Sequence, residues 1–243
     1  MSARLVLTVV GSAVWNSPQA NRPQPMLLPP NERRRAPDTV ALAVAVAQAA
    51  CANAGRDPAQ LPTVFASTYG DMAITDYMCG TLAKTPTLLS PTRFHNSVHN
   101  AAAGYWSIAT GCRQPYCALG AGDYTFGAGL FAAALQACAD ETEVLLVAYD
   151  IDARGPLAQV THSSGMLGLA LVLGARHEPN LTRLHLTITA EAPVAEVPVV
   201  GAPAANAMAD CLPLIAALEA RVEAVLSVPL GPDSTLQVRV QPA

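Results

Sequence analysis

The amino-acid sequence predicts an α/β fold with both faces of its sheet covered. Three observations carry that expectation. Strand-length apolar runs alternate with helical segments over most of the chain, the order that places helices against a sheet. The runs Leu5 to Val14 and Val144 to Ala148 are apolar without a polar alternation, as in strands buried on both faces. Of the 243 residues, 51% are hydrophobic and 13% charged, against about 25% charged in an average globular domain. So little charge implies a sizeable core, and further surface that a partner covers.

Leu5 to Val14 reads as the opening strand. It is too short to span a bilayer and runs into Trp15-Asn16-Ser17-Pro18, so it reads as a buried strand and not as an export sequence. No other apolar run reaches the roughly 18 residues of a membrane helix. Asp38 to Ala54 is a helix, with Asp38 as its cap, an Ala/Val body and Gly55 as its stop. It is apolar nearly all round and belongs in the core. Thr63 to Ser67 is a short strand, and Met72 to Leu82 a helix. A helix over about Val98 to Thr110 follows, then the strand Tyr116 to Leu119, the helix Tyr124 to Ala139 and the strand Val144 to Ala148. The remainder reads as a Gly-rich turn and strand over Ser163 to Leu173, a strand Leu181 to Thr189 and a Pro-rich connection Pro193 to Pro203. A helix from about Ala204 to Val225 and a hairpin close the chain, with strands Leu226 to Leu230 and Leu236 to Val240 turned at Gly231-Pro232-Asp233.

A net charge of -4 and a pI near 5.7 argue against nucleic acid or an anionic membrane as partner. Arg33-Arg34-Arg35 is the one basic cluster and reads as a solvated loop, with docking of an acidic carrier protein as the other reading. The six cysteines, at 51, 79, 112, 117, 138 and 211, form no CxxC pair and no zinc-type spacing with histidine. They read as free thiols in a reducing cytoplasm.

The stretch Pro91 to Asp150 is the most informative. It contains Phe94-His95-Asn96-Ser97-Val98-His99-Asn100-Ala101-Ala102-Ala103-Gly104, then Gln114-Pro115, then Ala118-Leu119-Gly120-Ala121-Gly122-Asp123 before a small-residue helix. This resembles the β-ketoacyl synthase family of the thiolase superfamily. There an Asn-x-x-Ala-Gly helix, a Gly-Pro, a buried strand and a Thr-Ala-Cys elbow follow in this order. Laid on that pattern, Asn100, Gly104, Gly111 and Pro115 fall on their counterparts, and Asp123 occupies the position of the reactive cysteine. Such a synthase needs a thiolate at a helix N-terminus, where the dipole lowers the thiol pKa and sulfur accepts the acyl group. A carboxylate would yield only a hydrolysable mixed anhydride. Asp123 also suits the plain role of helix N-cap.

The resemblance covers about residues 1 to 175, within a single domain. It implies a truncated thiolase-like fold whose first βαβαβ half is largely complete. The second half, residues 176 to 243, is reduced to a helix and a few strands, and the two catalytic histidines of that half have no counterpart. His177 precedes Glu178-Pro179 in a loop, and His185 lies on the exposed face of its strand. His95 and His99, four apart, lack a third ligand at a recognised spacing. His162 adjoins Ser163 and Ser164 but does not converge on them from a separate element. Cys117 sits inside the expected buried strand, where a thiol is inert packing. The pattern calls for no metal and no cofactor.

The family includes pairs in which an active synthase joins a nucleophile-less chain-length factor, and the two aligned runs resemble most the short synthase-like proteins of aryl-polyene clusters. The resemblance therefore implies a noncatalytic subunit, paired as a heterodimer with an active ketoacyl synthase and meeting acyl carrier protein only indirectly. Alone, it would be free to pair with itself. Gln114, Pro115, Tyr116, Cys117, Ala118 and Leu119 form the implied pairing edge. Val98, His99, Asn100 and Phe126 become candidates to border the acyl tunnel, where one methylene of bulk is worth about 0.8 kcal/mol. Two other readings stay open: a thioester acyltransferase or hydrolase using Asp123 or a nearby hydroxyl, and a homodimeric acyl-binding scaffold.

Overall fold

A computed structural model describes residues 4–17, 22–161, 163–190 and 206–243. Its strands are β1 (Arg4–Ser17), β2 (Thr63–Ala66), β3 (Tyr116–Leu119), β4 (Val144–Asp150), β5 (Met166–Gly174), β6 (Arg183–Thr189), β7 (Ala224–Gly231) and β8 (Ser234–Gln241). Its helices are α1 (Pro30–Arg35), α2 (Asp38–Ala54), α3 (Met72–Lys84), α4 (Pro91–His95), α5 (Ala101–Thr110), α6 (Thr125–Asp140) and α7 (Leu212–Ala220). All eight strands form one sheet in the order β3-β2-β4-β5-β1-β6-β8-β7. The β3-β2-β4 block is parallel and every other pairing is antiparallel.

The sheet centre is buried on both faces, as its unbroken apolar runs foretell. Val144, Leu146 and Ala148 of β4 enter one core with α6, while Leu145, Val147 and Tyr149 enter the other with α2 and α5. The expectation of a covered α/β sheet holds, and β1 runs three residues further than expected, pairing Trp15 to Ser17 with β5. A bidentate ion pair from Arg56 to Glu143, both contacts 2.7 Å, ties the exit of α2 to the entry of β4.

Among the described residues the C-terminal part builds no second sheet. Strands β6, β8 and β7 continue the first one from β1, and the sheet curls until β7 meets α6, the helix that also packs on β1, β2, β4 and β5. The right-handed twist between neighbouring strands accumulates across the added strands. At the closest approach, a Cβ on Gly127 of α6 would collide with the Pro229 carbonyl oxygen. Only glycine admits that contact.

Several boundaries differ from the sequence reading. The helix expected over Ala204 to Val225 is only Leu212–Ala220, because Arg221 turns left-handed (φ 53°) and the β-branched run behind it enters β7. The helix expected from Val98 starts at Ala101, with Val98 to Asn100 in a turn. Arg33 to Arg35 close a short helix instead of lying in a loop. Cys117 is exposed, since β3 is the sheet's edge and has a neighbour on one side only. The Pro193 to Pro203 connection and His162 lie outside the described residues.

Candidate functional site

The C-terminal ends of the parallel strands converge. Strand β2 ends in Ser67-Thr68-Tyr69-Gly70, β3 in Gly120-Ala121-Gly122-Asp123, and β4 in Asp150. Open α/β sheets place their ligand crevices at this end.

Asp150 organises this end of the sheet. It is 1% exposed. Its Oδ1 accepts from Ser67 Oγ at 2.9 Å and from Tyr69 N at 3.2 Å, and its Oδ2 from Thr68 N at 2.8 Å. Ser67 Oγ in turn accepts from Gly70 N at 3.0 Å. Burial pushes the carboxyl pKa up to about 6, and these hydrogen bonds from Thr68, Ser67 and Tyr69 hold it back from rising further. The sequence reading missed this residue. Its signal was present: a lone acid closing a strand with no other polar group but a tyrosine hydroxyl.

The elbow runs beside it. A Cβ on Gly120 would come within 2.9 Å of the Ser67 carbonyl oxygen and 3.3 Å of the His99 ring, so the absent side chain lets the elbow pass between them. Asp123 is exposed, and its carboxylate caps neither the short 3-10 turn Gly122–Tyr124 nor α6. The expected N-cap role is therefore corrected. Neither element has a side-chain cap; Thr125, 1% exposed, instead staples the elbow: its Oγ1 accepts from Ala121 N at 2.9 Å and donates to the Gly122 carbonyl at 2.7 Å. A hydroxyl does both at once, which a carboxylate cannot.

The turn before α5 joins the elbow to a cleft. His99 packs beside Gly120, while Val98 and Asn100 line an open cleft of about 820 Å³ between α1, α4 and α5. Leu28, Pro91, Tyr105 and Ile108 form more of its wall, and Glu32, Arg35 and His95 are its charged or titratable members. Asn100 Nδ2 donates to Tyr116 Oη at 3.0 Å, which fixes the turn to the sheet edge. Tyr116 and Cys117 are exposed on β3, with Ala118 and Leu119 half-buried and Gln114 and Pro115 exposed just before. Phe126 is buried in the core beneath α6 and does not line this cleft.

No imidazole assists Asp123 from the C-terminal part. His185 lies on β6 and bonds Arg4 and Gln241, and His177 sits in the β5–β6 connection. Among the described residues no three His, Cys, Asp or Glu side chains gather to hold a metal, and no helix is long and apolar enough to cross a membrane.

The chain resembles several solved structures. A ketosynthase (ApeO) in complex with its chain length factor (ApeC) from Xenorhabdus doucetiae aligns with TM-score 0.70 and 22% identity, over 91% of this chain and 86% of that one. A type II polyketide acyl-carrier protein in complex with its ketosynthase (AntDE:AntF) aligns with TM-score 0.74 and 10% identity, over 98% and 100%. The ishigamide ketosynthase/chain length factor gives 0.56 and 15%, over 72% and 63%. At such identities the likeness speaks to the fold. No curated protein sequence matches. The model of the β-ketoacyl synthase N-terminal domain matches residues 12–226, and with most of its length inside that match the chain belongs to the β-ketoacyl synthase family.

Proposed function

We propose that the chain is a noncatalytic subunit of the chain-length-factor kind, pairing through β3 with an active β-ketoacyl synthase in polyketide assembly. One observation carries the reading: the elbow that should present a thiol presents an exposed carboxylate, with no histidine from the C-terminal part beside it. The same element leads back into an unpaired sheet edge. An open strand edge is a template for another strand, and near it Ile108 (85% exposed), Val98 and Tyr116 leave apolar surface in water. Contiguous apolar surface of that kind marks a protein interface. The solved relatives include ketosynthase and chain length factor complexes, which supports the same pairing.

In this reading Gln114 to Leu119 pair with the partner's strand, and the turn Val98 to Asn100 borders the cavity that measures the growing acyl chain, with an aryl-polyene product as the specific expectation. Phe126 acts from beneath, as packing that holds the elbow helix. Carrier protein reaches the chain through the synthase, in the cytoplasm. Co-expression with the synthase should give one heterodimeric peak by size-exclusion chromatography and a product of defined mass. The isolated chain should neither condense malonyl-loaded carrier nor gain an acyl adduct in intact mass spectrometry. Turnover by the isolated chain would overturn the proposal.

A further inference from the structure

The outer face of the C-terminal strand extension carries a prearranged cationic patch. On β1, β6 and β8 the side chains facing away from the core include Arg4, Arg183, His185 and Arg239, while Leu5, Leu7, Leu184, Leu186, Val238 and Val240 point into it. The register sets Arg239 directly opposite His185 and Gln241 opposite Arg183, with Arg4 one diagonal step from His185. Arg4 Nη2 donates to His185 Nδ1 at 2.7 Å, so the ring accepts at Nδ1 and its Nε2–H donates to Gln241 Oε1 at 3.0 Å. Arg183 Nη2 donates to the same oxygen at 2.7 Å.

This relay holds two guanidinium groups in fixed positions without neutralising either. No ion pair joins Arg4, Arg183 or Arg239 to a carboxylate among the described residues. None of the outward residues of the three strands is acidic. The nearest acid by register is Glu223, one residue before β7, at the Gln241 end. Each guanidinium offers five N–H donors and the relay engages one nitrogen of each, so forks remain for an external anion.

We infer that this face binds a carboxylate-bearing helix of an acidic protein partner. The four residues stand on the outer face of three adjacent strands, a surface suited to another surface and not to an enclosed small molecule. Three adjacent strands spread the charges over about 10 Å, and alternate residues along β6 sit about 7 Å apart. Carboxylates one turn apart on a helix, about 5–6 Å, match the shorter repeat. The three guanidinium groups complement carboxylates at that spacing, and a DNA duplex is the competing occupant in the test. The patch lies beyond β1, at the end of the sheet away from β3, so this inference stands or falls independently of the pairing edge.

The test is fluorescence anisotropy with a labelled alanine-based helical peptide carrying glutamates four apart, at about 0.01 M and about 0.15 M ionic strength. The full chain should bind it saturably and more weakly at the higher salt. R4Q/R183Q/R239Q should weaken binding at least about tenfold at low salt, where screening is least, and R33Q/R34Q, in the separate cluster on α1, should leave it within about twofold. Arg239→Gln alone, at an exposed position, gives the same direction should the triple variant lose its fold. Absence of saturable binding, an equal loss in R33Q/R34Q, or preference for a labelled DNA duplex over the peptide would overturn the inference.

Discussion

Asp123 and Thr125 stand two residues apart in the elbow and differ in what they hold. Asp123, proposed to occupy the position of a lost nucleophile, is exposed and caps neither turn, so Asp123→Ala should change unfolding free energy by less than about 0.5 kcal/mol. Thr125→Ala removes both hydrogen bonds of a buried hydroxyl and should cost about 1–2 kcal/mol. Urea denaturation of the two variants orders them, and the reverse order would refute the role of Thr125 as the elbow's staple. Asp150 gives a pH signature. Its carboxyl pKa stands at about 6 in the fold against 3.8 ordinarily, so the native state binds more protons between those values. Its contribution to stability is fully present below pH 3.8 and is lost as pH rises through about 6. The full swing is about 3 kcal/mol as an upper estimate. Asp150→Asn abolishes that titration, so the stability of the variant relative to wild type should rise between pH 4 and pH 7, read by denaturation at each pH. A difference independent of pH would refute it.

Among the elements, α6 carries the most constraint, because the main sheet lies on one side and β7 closes on the other. Gly127→Ala places a methyl where the Pro229 carbonyl stands, and neither a helix nor a strand backbone yields cheaply. The substitution should cost about 3 kcal/mol or more and release the β7–β8 hairpin first. Hydrogen exchange that stays slow in β7 would contradict this. Strand β3 is under the opposite regime. Four residues long and paired only to β2, it depends on the Asn100–Tyr116 contact and on whatever covers its free side. Its exposed Cys117 shows why an apolar run alone does not establish burial: the run says that a strand forms, while its place in the sheet says how many neighbours it has.

For the protein as the proposed assembly partner, two surfaces lie toward opposite ends of one sheet. One is apolar, around β3 and α5, and the other is basic, across β1, β6 and β8, where three of the arginines of an acidic chain gather. Ile108→Asp tests the first. Its side chain is 85% exposed and makes little of the core, so the melting transition of the isolated chain should stay within about 0.5 kcal/mol. Association with the synthase should fall at least about tenfold, since a charge at the centre of an apolar interface is desolvated without a partner. Unchanged co-elution would place the pairing surface elsewhere.

Much of this was legible in the residues themselves. The buried strands β4 and β5 and the helices α2, α3 and α6 follow from local apolar runs and, for α2, the Gly55 stop, all properties of neighbours in sequence, although the N-cap expected of Asp38 does not form. The rest depends on residues brought together from distant segments. Ser67 and Asp150 lie 83 positions apart, and only the pairing of β2 with β4 makes them one site. Gly127 meets Pro229 only because the sheet curls, and Cys117 is exposed only because β3 came to lie at the edge. Arg4 and His185 form a relay because β1 and β6 are neighbours. Local chemistry determined which elements exist; strand order and curvature, set by the balance of burial over the entire core, decided what each side chain faces.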